Sequence, residues 1–238
     1  MKIAIMADIH SNWEALEAAA SYIKKEKVDG IIHLGDVVGY GANPNECFDW
    51  VQQHVDVNLM GNHEKAVITP QIREGFNPLA AEAIAWTEKV LDESYRDIIR
   101  GLPYVHVKDR LVFFHGSLDE PEMFFYLKSY EDAVASLKLL EGNIGFFGHT
   151  HIPTLIEGKS KMARHLQPGV MRLRGNEKYL INPGSIGQPR DRDPRLAFGL
   201  FDDKAYSFEL IRLKYDNQTA AKKIKSVGLP TYLADRLL

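Results

Sequence analysis

Over the first sixty positions, short and almost uninterrupted apolar runs alternate with amphipathic stretches. Residues 2–7 (KIAIMA) predict a buried strand, and residues 12–26 carry a helical apolar pattern through Trp13, Leu16, Ala19, Ala20 and Ile23. Residues 30–34 predict the next strand. Pro44 suits the first turn of a helix running to about His54, and residues 55–60 predict a third strand. Apolar strands separated by helices indicate βαβ units in a sheet covered on both faces. The middle is helical over residues 78–100, closed by Gly101–Leu102–Pro103, with strands at 104–108 and 110–114 and a helix near 130–141. Beyond that the pattern is mostly β, at 143–148, 153–157, about 170–173, 178–182, 195–202 and 205–213, and two short helices follow near 216–226 and 230–237. There is no internal repeat and no low-complexity linker. The expected class is α+β: a sandwich with helices outside two sheets, as one domain over residues 1–238.

Composition narrows the functional classes. The 238 residues are 45% hydrophobic and 26% charged, which fits a globular chain and excludes disorder or a fibrous repeat. A net charge of −3 gives no strong nucleic-acid signature, although a small phosphorylated ligand remains possible. Cys47 is the only cysteine, so neither a disulfide nor a thiolate metal cluster can form within the chain; a small apolar residue on a helix is the expected role. The N-terminal apolar run is too short for a signal sequence and no run suffices for a membrane span, so a soluble cytoplasmic protein with no membrane partner is expected.

Five polar clusters each follow directly on an apolar strand: Asp8-x-His10, Gly35–Asp36, Gly61–Asn62–His63, His115–Gly116 and Gly148–His149–Thr150–His151. In open α/β sheets ligands bind outside the carboxyl ends of strands. If these strands run parallel, the clusters meet at one edge. Two carboxylates, one amide oxygen and four or five imidazoles exceed what one tetrahedral ion accepts. They suit two five- or six-coordinate ions sharing a carboxylate, with a bridging hydroxide as nucleophile. Mixed oxygen and nitrogen donors favour two divalent transition-metal ions (Mn, Fe, Ni or Zn) over Mg²⁺ or Ca²⁺. His33, within a strand, and His54, His106 and His165, which lack a partner motif, read as structural or surface residues.

The five blocks, in this order across residues 8–151, resemble the calcineurin-like metallophosphoesterases. Within that superfamily, Gly35–Asp36-x-x-Gly39–Tyr40–Gly41-x-x-Pro44 and Asn182–Pro183–Gly184–Ser185 are similar to the prokaryotic phosphodiesterase-like branch. The resemblance implies a four-layer α/β/β/α sandwich. It implies that Asp8, His10 and His151 hold one metal, that Asn62, His115 and His149 hold the second, and that Asp36 bridges them. His63 is implied to act on the leaving-group oxygen or to stabilise the transition state. The implied reaction is hydrolysis of a phosphomonoester or phosphodiester; the alternatives are a dinucleoside polyphosphate hydrolase, a phosphoprotein phosphatase, or a non-catalytic scaffold such as the retromer subunit of the same fold.

Two departures bear on the substrate. Protein phosphatases of the superfamily carry Gly-Asp-x-Val-Asp-Arg-Gly, in which the second Asp supports the catalytic His and the Arg grips phosphate. Gly39 and Tyr40 stand at those places here, leaving His63 without its usual carboxylate. Arg190, in the loop 182–190, is a candidate substrate-phosphate donor; pairing with Asp191 or Asp193 is the other reading. A helical insert near 64–103 and the aromatic loop 123–126 are candidates to wall the pocket, the aromatics being expected mainly to pack in the core, with base stacking as the other reading.

Overall fold

In the computed structural model, which describes residues 1–238, the apolar runs become β1 (Lys2–Met6), β2 (Gly30–His33) and β3 (Val57–Asn58), separated by α1 (Trp13–Glu26) and α2 (Pro44–His54). Asn12 caps α1 by accepting from the Ala15 amide at 3.2 Å, and Pro44 occupies the first turn of α2. A helical segment follows, with α3 (Asn62–Ile68), a 3₁₀ turn at Pro70–Gly75, α4 (Pro78–Val90) and α5 (Ser94–Arg100). Then come β4 (Val105–Lys108), β5 (Leu111–Phe114), α6 (Tyr130–Leu139), β6 (Ile144–Phe146), β7 (Thr154–Glu157), β8 (Met162–His165) and β9 (Gly169–Arg172). The chain ends with β10 (Tyr179–Asn182), β11 (Leu196–Asp202), β12 (Ser207–Leu213), α7 (Asn217–Ser226) and α8 (Thr231–Asp235).

The strands form two six-stranded mixed sheets, ordered β3-β2-β1-β11-β12-β9 and β4-β5-β6-β10-β7-β8. Side chains alternate along β1: Ile3 and Ile5 enter the core shared by the sheets, with Phe113, Phe146 and Phe201, while Ala4 and Met6 face α1 and α2. Both faces are therefore buried, which is why this strand reads as an unbroken apolar run. Each such large side chain contributes about 1.5–3 kcal/mol on burial. On the second sheet Phe114 and Leu180 meet Ala133 and Leu137 of α6. The layers run helix, sheet, sheet, helix.

The runs β1-β2-β3 and β5-β6-β10 are parallel. Their carboxyl ends bring the five polar clusters to one edge. Two expectations need correction. β3 keeps only Val57 and Asn58 of the expected 55–60, because the Met60 amide leaves the ladder to donate to the Pro103 carbonyl at 2.8 Å. β8 carries little apolar pattern, being mostly exposed and held only by pairing with β7, so its sequence gave no strand signal. No helix is long and apolar enough to cross a membrane.

Candidate metal centre

Asp8, His10, Asp36 and His151 place one ligand atom each within 4.8 Å of one another, and Asp36, His115 and His149 do the same. Asp36 belongs to both groups. Asn62 joins the second, its Oδ1 3.2 Å from His115 Nε2. All seven predicted donor residues are thus brought together, and all but Asn62 are buried. The chain bends sharply to do this: Asp8, His10, Asp36, His149 and His151 all have φ between 50° and 65°, a left-handed region that costs such residues about 1–3 kcal/mol each.

Three imidazoles are aimed by backbone carbonyls. His10 Nδ1 donates to Val38 O at 3.0 Å, His115 Nδ1 to Leu34 O at 2.8 Å and His151 Nδ1 to Gln188 O at 2.7 Å. In the neutral ring each of these bonds leaves Nε2 as the bare acceptor and points it inward, the usual arrangement for a metal-ligating histidine. His10 Nε2 and His151 Nε2 then face each other at 3.0 Å with lone pair toward lone pair. Asp8 Oδ2 is buried with no partner. Opposed lone pairs and an orphaned carboxylate oxygen are unfavourable unless a cation lies among them, so this donor set fits divalent metal.

The loop Asn182–Gln188 braces the centre. Asn182 Nδ2 donates to Gly148 O at 2.6 Å, Ser185 Oγ donates to Asp8 O at 2.8 Å, and the Gln188 carbonyl holds His151. Glu64 supports the Asp36 loop, accepting from the amides of Asp36, Val38 and Gly61 at 2.8–3.0 Å. Its role was missed in the sequence, although it stands three residues after Gly61 where a capping carboxylate belongs.

Beside the centre opens a cavity of about 420 Å³. His63 lines it, but its Nδ1 is buried without a partner, so Nε2 is the nitrogen that reaches the cavity. A Cβ at position 39 would overlap His63 Nδ1, and Gly39 has φ +89°, so the missing carboxylate could not be restored by a simple substitution. Arg190 also lines the cavity. Pairing with the neighbouring aspartates is overturned: Asp191 binds Arg212 and Asp193 binds Arg195, while Arg190 bonds Gln188 Oε1 at 3.0 Å and the Tyr40 hydroxyl at 3.3 Å. Ile72 and Phe76 from the helical segment and Met123 and Tyr126 from the aromatic loop form an apolar wall. Core packing holds within that loop only for Phe124; Met123, Phe125 and Tyr126 are about half exposed. Of the four histidines set aside, His33 is buried against Asn58 Oδ1 at 2.8 Å, while His54 and His165 are exposed and His106 is half-buried. Cys47 is a buried free thiol on α2.

The calcineurin-like phosphoesterase superfamily domain matches residues 1–204. This chain belongs to that superfamily. An uncharacterised protein of Methanocaldococcus jannaschii is 38% identical over 240 residues, 99% of this chain and 96% of that protein. The metallophosphoesterase of Sphaerobacter thermophilus superposes with a TM-score of 0.89 at 33% identity, over 100% of this chain and 98% of the other. A hypothetical protein of Pyrococcus horikoshii shares the fold, with a TM-score of 0.80 at 20% identity over 99% and 97% of the two chains. The calcineurin-like fold and its Asp/His cluster suited to divalent metal are therefore established for this chain.

Burial governs protonation at the calcineurin-like centre. Burial lowers His33 and His63 to about 4 and holds His10, His149 and His151 well below the usual range. Burial also raises Asp8 and Glu64 to about 7. For His115 burial acts downward but Asp36 and Asp8 prevail, lifting it to about 9. As pH falls from about 6.5 toward 4, five histidines gain protons more readily unfolded than folded, whereas two carboxyls gain them more readily folded. The unfolded state thus takes up more protons, and stability falls with acidification. The His115 contribution is complete below about 6.5 and disappears as pH rises through about 9. Urea unfolding of chelator-treated protein should accordingly give its highest midpoint near neutrality, with a fall toward pH 4. A midpoint that is flat or rises on acidification would contradict these assignments.

Proposed function

We propose that this chain hydrolyses a small phosphomonoester or phosphodiester at a two-metal centre. The observation that carries the reading is Asp36, common to two converging donor groups that border a cavity containing His63 and Arg190. Asp8, His10 and His151 would hold one ion, Asn62, His115 and His149 the other, and Asp36 both. Bound ions would supply Lewis acidity toward phosphoryl oxygen and acidify water. Arg190 donates to a non-bridging phosphate oxygen, as a guanidinium with no carboxylate partner is free to do. His63 presents Nε2 to the leaving-group oxygen. The wall of Ile72, Phe76, Met123 and Tyr126 receives the organic part of the ester and excludes water from it.

The half-exposed aromatics at the cavity mouth favour one second reading, a nucleotide or dinucleoside polyphosphate hydrolase in which a base stacks on Tyr126 or Phe76. Metal-depleted protein reconstituted with Mn²⁺, Fe²⁺, Co²⁺, Ni²⁺, Zn²⁺ or Mg²⁺ should be assayed against p-nitrophenyl phosphate, its bis ester, cyclic nucleotides, dinucleoside polyphosphates and phosphopeptides. The expected result is activity lost on chelation and recovered better with the transition metals than with Mg²⁺, because imidazole donors favour them. Undiminished activity with less than one metal per chain would sink the two-metal reading. Tight metal binding without turnover of any ester would favour the scaffold alternative.

A further inference from the structure

His63 has no hydrogen bond to fix its side chain. It is held instead by rings: Tyr40 and His10 each lie 4.6 Å from it between centroids, and Phe76 lies at 5.6 Å. Tyr40 is buried, adopts φ +58°, and also packs 4.6 Å from His10. Its hydroxyl meets Arg190 Nη2 at 3.3 Å, with the guanidinium 5.7 Å from the Tyr40 ring centroid. Gln188 Oε1 completes the cradle at 3.0 Å from the same Nη2.

We propose that Tyr40 is a positioning residue with two separable duties: its ring sets the angle of His63, and its hydroxyl aims Arg190 at a substrate phosphate. The inference rests on the phosphoesterase reading for its kinetic readout, though phosphate binding can be measured without turnover. A ring packed against both imidazoles, the three centroids mutually 4.6 Å apart, restricts rotation that an exposed histidine would keep. A hydroxyl accepting from Nη2 leaves the remaining guanidinium protons for phosphate, whereas an aspartate at that place would neutralise the cation. One side chain thereby couples the group acting on the leaving oxygen to the group binding the anion.

Metal-loaded, full-length Tyr40→Phe, Tyr40→Leu, Arg190→Gln and the Tyr40→Phe/Arg190→Gln double variant test this. Each is measured for KM and kcat on the best ester, for orthophosphate affinity by calorimetry, and for metal content. Tyr40→Phe should weaken orthophosphate binding and raise KM about three- to tenfold, the value of one long, part-exposed hydrogen bond, with the loss mainly in KM. The double variant should be no worse than Arg190→Gln, because the hydroxyl acts only through the guanidinium. Tyr40→Leu should add a fall in kcat of up to about 10²-fold, the cost of a misplaced group, and this fall should vanish in a His63→Ala background. Metal content should stay unchanged in all. Additive losses in the double variant overturn the proposal, as does a Tyr40→Phe defect confined to kcat. If Tyr40→Leu does not fold, Tyr40→Phe, which removes one oxygen, carries the test. A wild-type protein that binds orthophosphate with this pattern yet cleaves no ester would defeat the phosphoesterase reading and leave the Tyr40 assignment standing. Failure to bind orthophosphate at all would overturn the Tyr40 assignment.

Discussion

Asp36→Asn is expected to weaken both metal positions together and to lower turnover roughly 10³-fold or more, the scale of several kcal/mol of lost transition-state stabilisation. Asp36 Oδ2 lies 3.6 Å from His10 Nε2 and 3.3 Å from His115 Nε2, so the same oxygen faces ligands of both groups. Its other oxygen accepts from the His63 amide at 2.9 Å. Asparagine keeps the shape and can keep that amide contact through its carbonyl, so the loop should survive while the negative charge is lost. His151→Ala makes the proper control, because His151 belongs to only one group, near Asp8 Oδ1 at 3.6 Å. Metal titration followed by elemental analysis should show two sites impaired in Asp36→Asn and one in His151→Ala. Equal single-site losses in the two variants would reject the shared role of Asp36.

That the polar clusters meet at one edge is legible in the sequence, because a strand's direction and its last residue determine where the next side chain lies; which residue is shared is implied only by the family resemblance. Each apolar run ended in a glycine, aspartate or histidine, and parallel pairing of β1 with β2 and of β5 with β6 brought those ends to one edge. What pattern could not convey was contact between loops. Gly39 looks like an ordinary turn glycine, yet it is where His63 Nδ1 packs. Tyr40 looks like a loop aromatic, yet it packs on His63 and meets Arg190, 150 positions away. Arg190 itself was undecided in sequence because two aspartates follow at once. The decision came from Arg212 on β12 and from Arg195, which engage those aspartates and leave Arg190 to the cavity. The aromatic loop departs from its expected core packing for a related reason: hydrophobicity signals burial in some core, but a cavity wall carries the same residues. Β-structure at Met162–His165 escaped because an exposed edge strand needs only a partner's backbone, not an apolar face.

His63→Ala is expected to lower kcat about 10²-fold on an ester with a poor alkoxide leaving group, the low end of the range for general acid–base assistance, with metal content unchanged. Two features of the site place it there. Nδ1 lacks the carboxylate that would orient the ring and stabilise its charged form. Burial, opposed by Asp36, also lowers the imidazole to about 4, so the doubly protonated ring is the minor form at pH 7. Help from a scarce imidazolium matters most when the departing oxygen is strongly basic. For p-nitrophenolate, stable without protonation, the defect should shrink markedly. A residue that only binds phosphate would instead weaken both substrates alike, since it never touches the leaving group. Paired measurements of kcat on alkyl and p-nitrophenyl esters therefore separate the roles. Comparable losses on both would make neutral His63 a hydrogen-bonding stabiliser of the phosphoryl oxygens, and loss of an ion would make it a ligand, contrary to an Nδ1 packed against Gly39 and an Nε2 turned to the cavity.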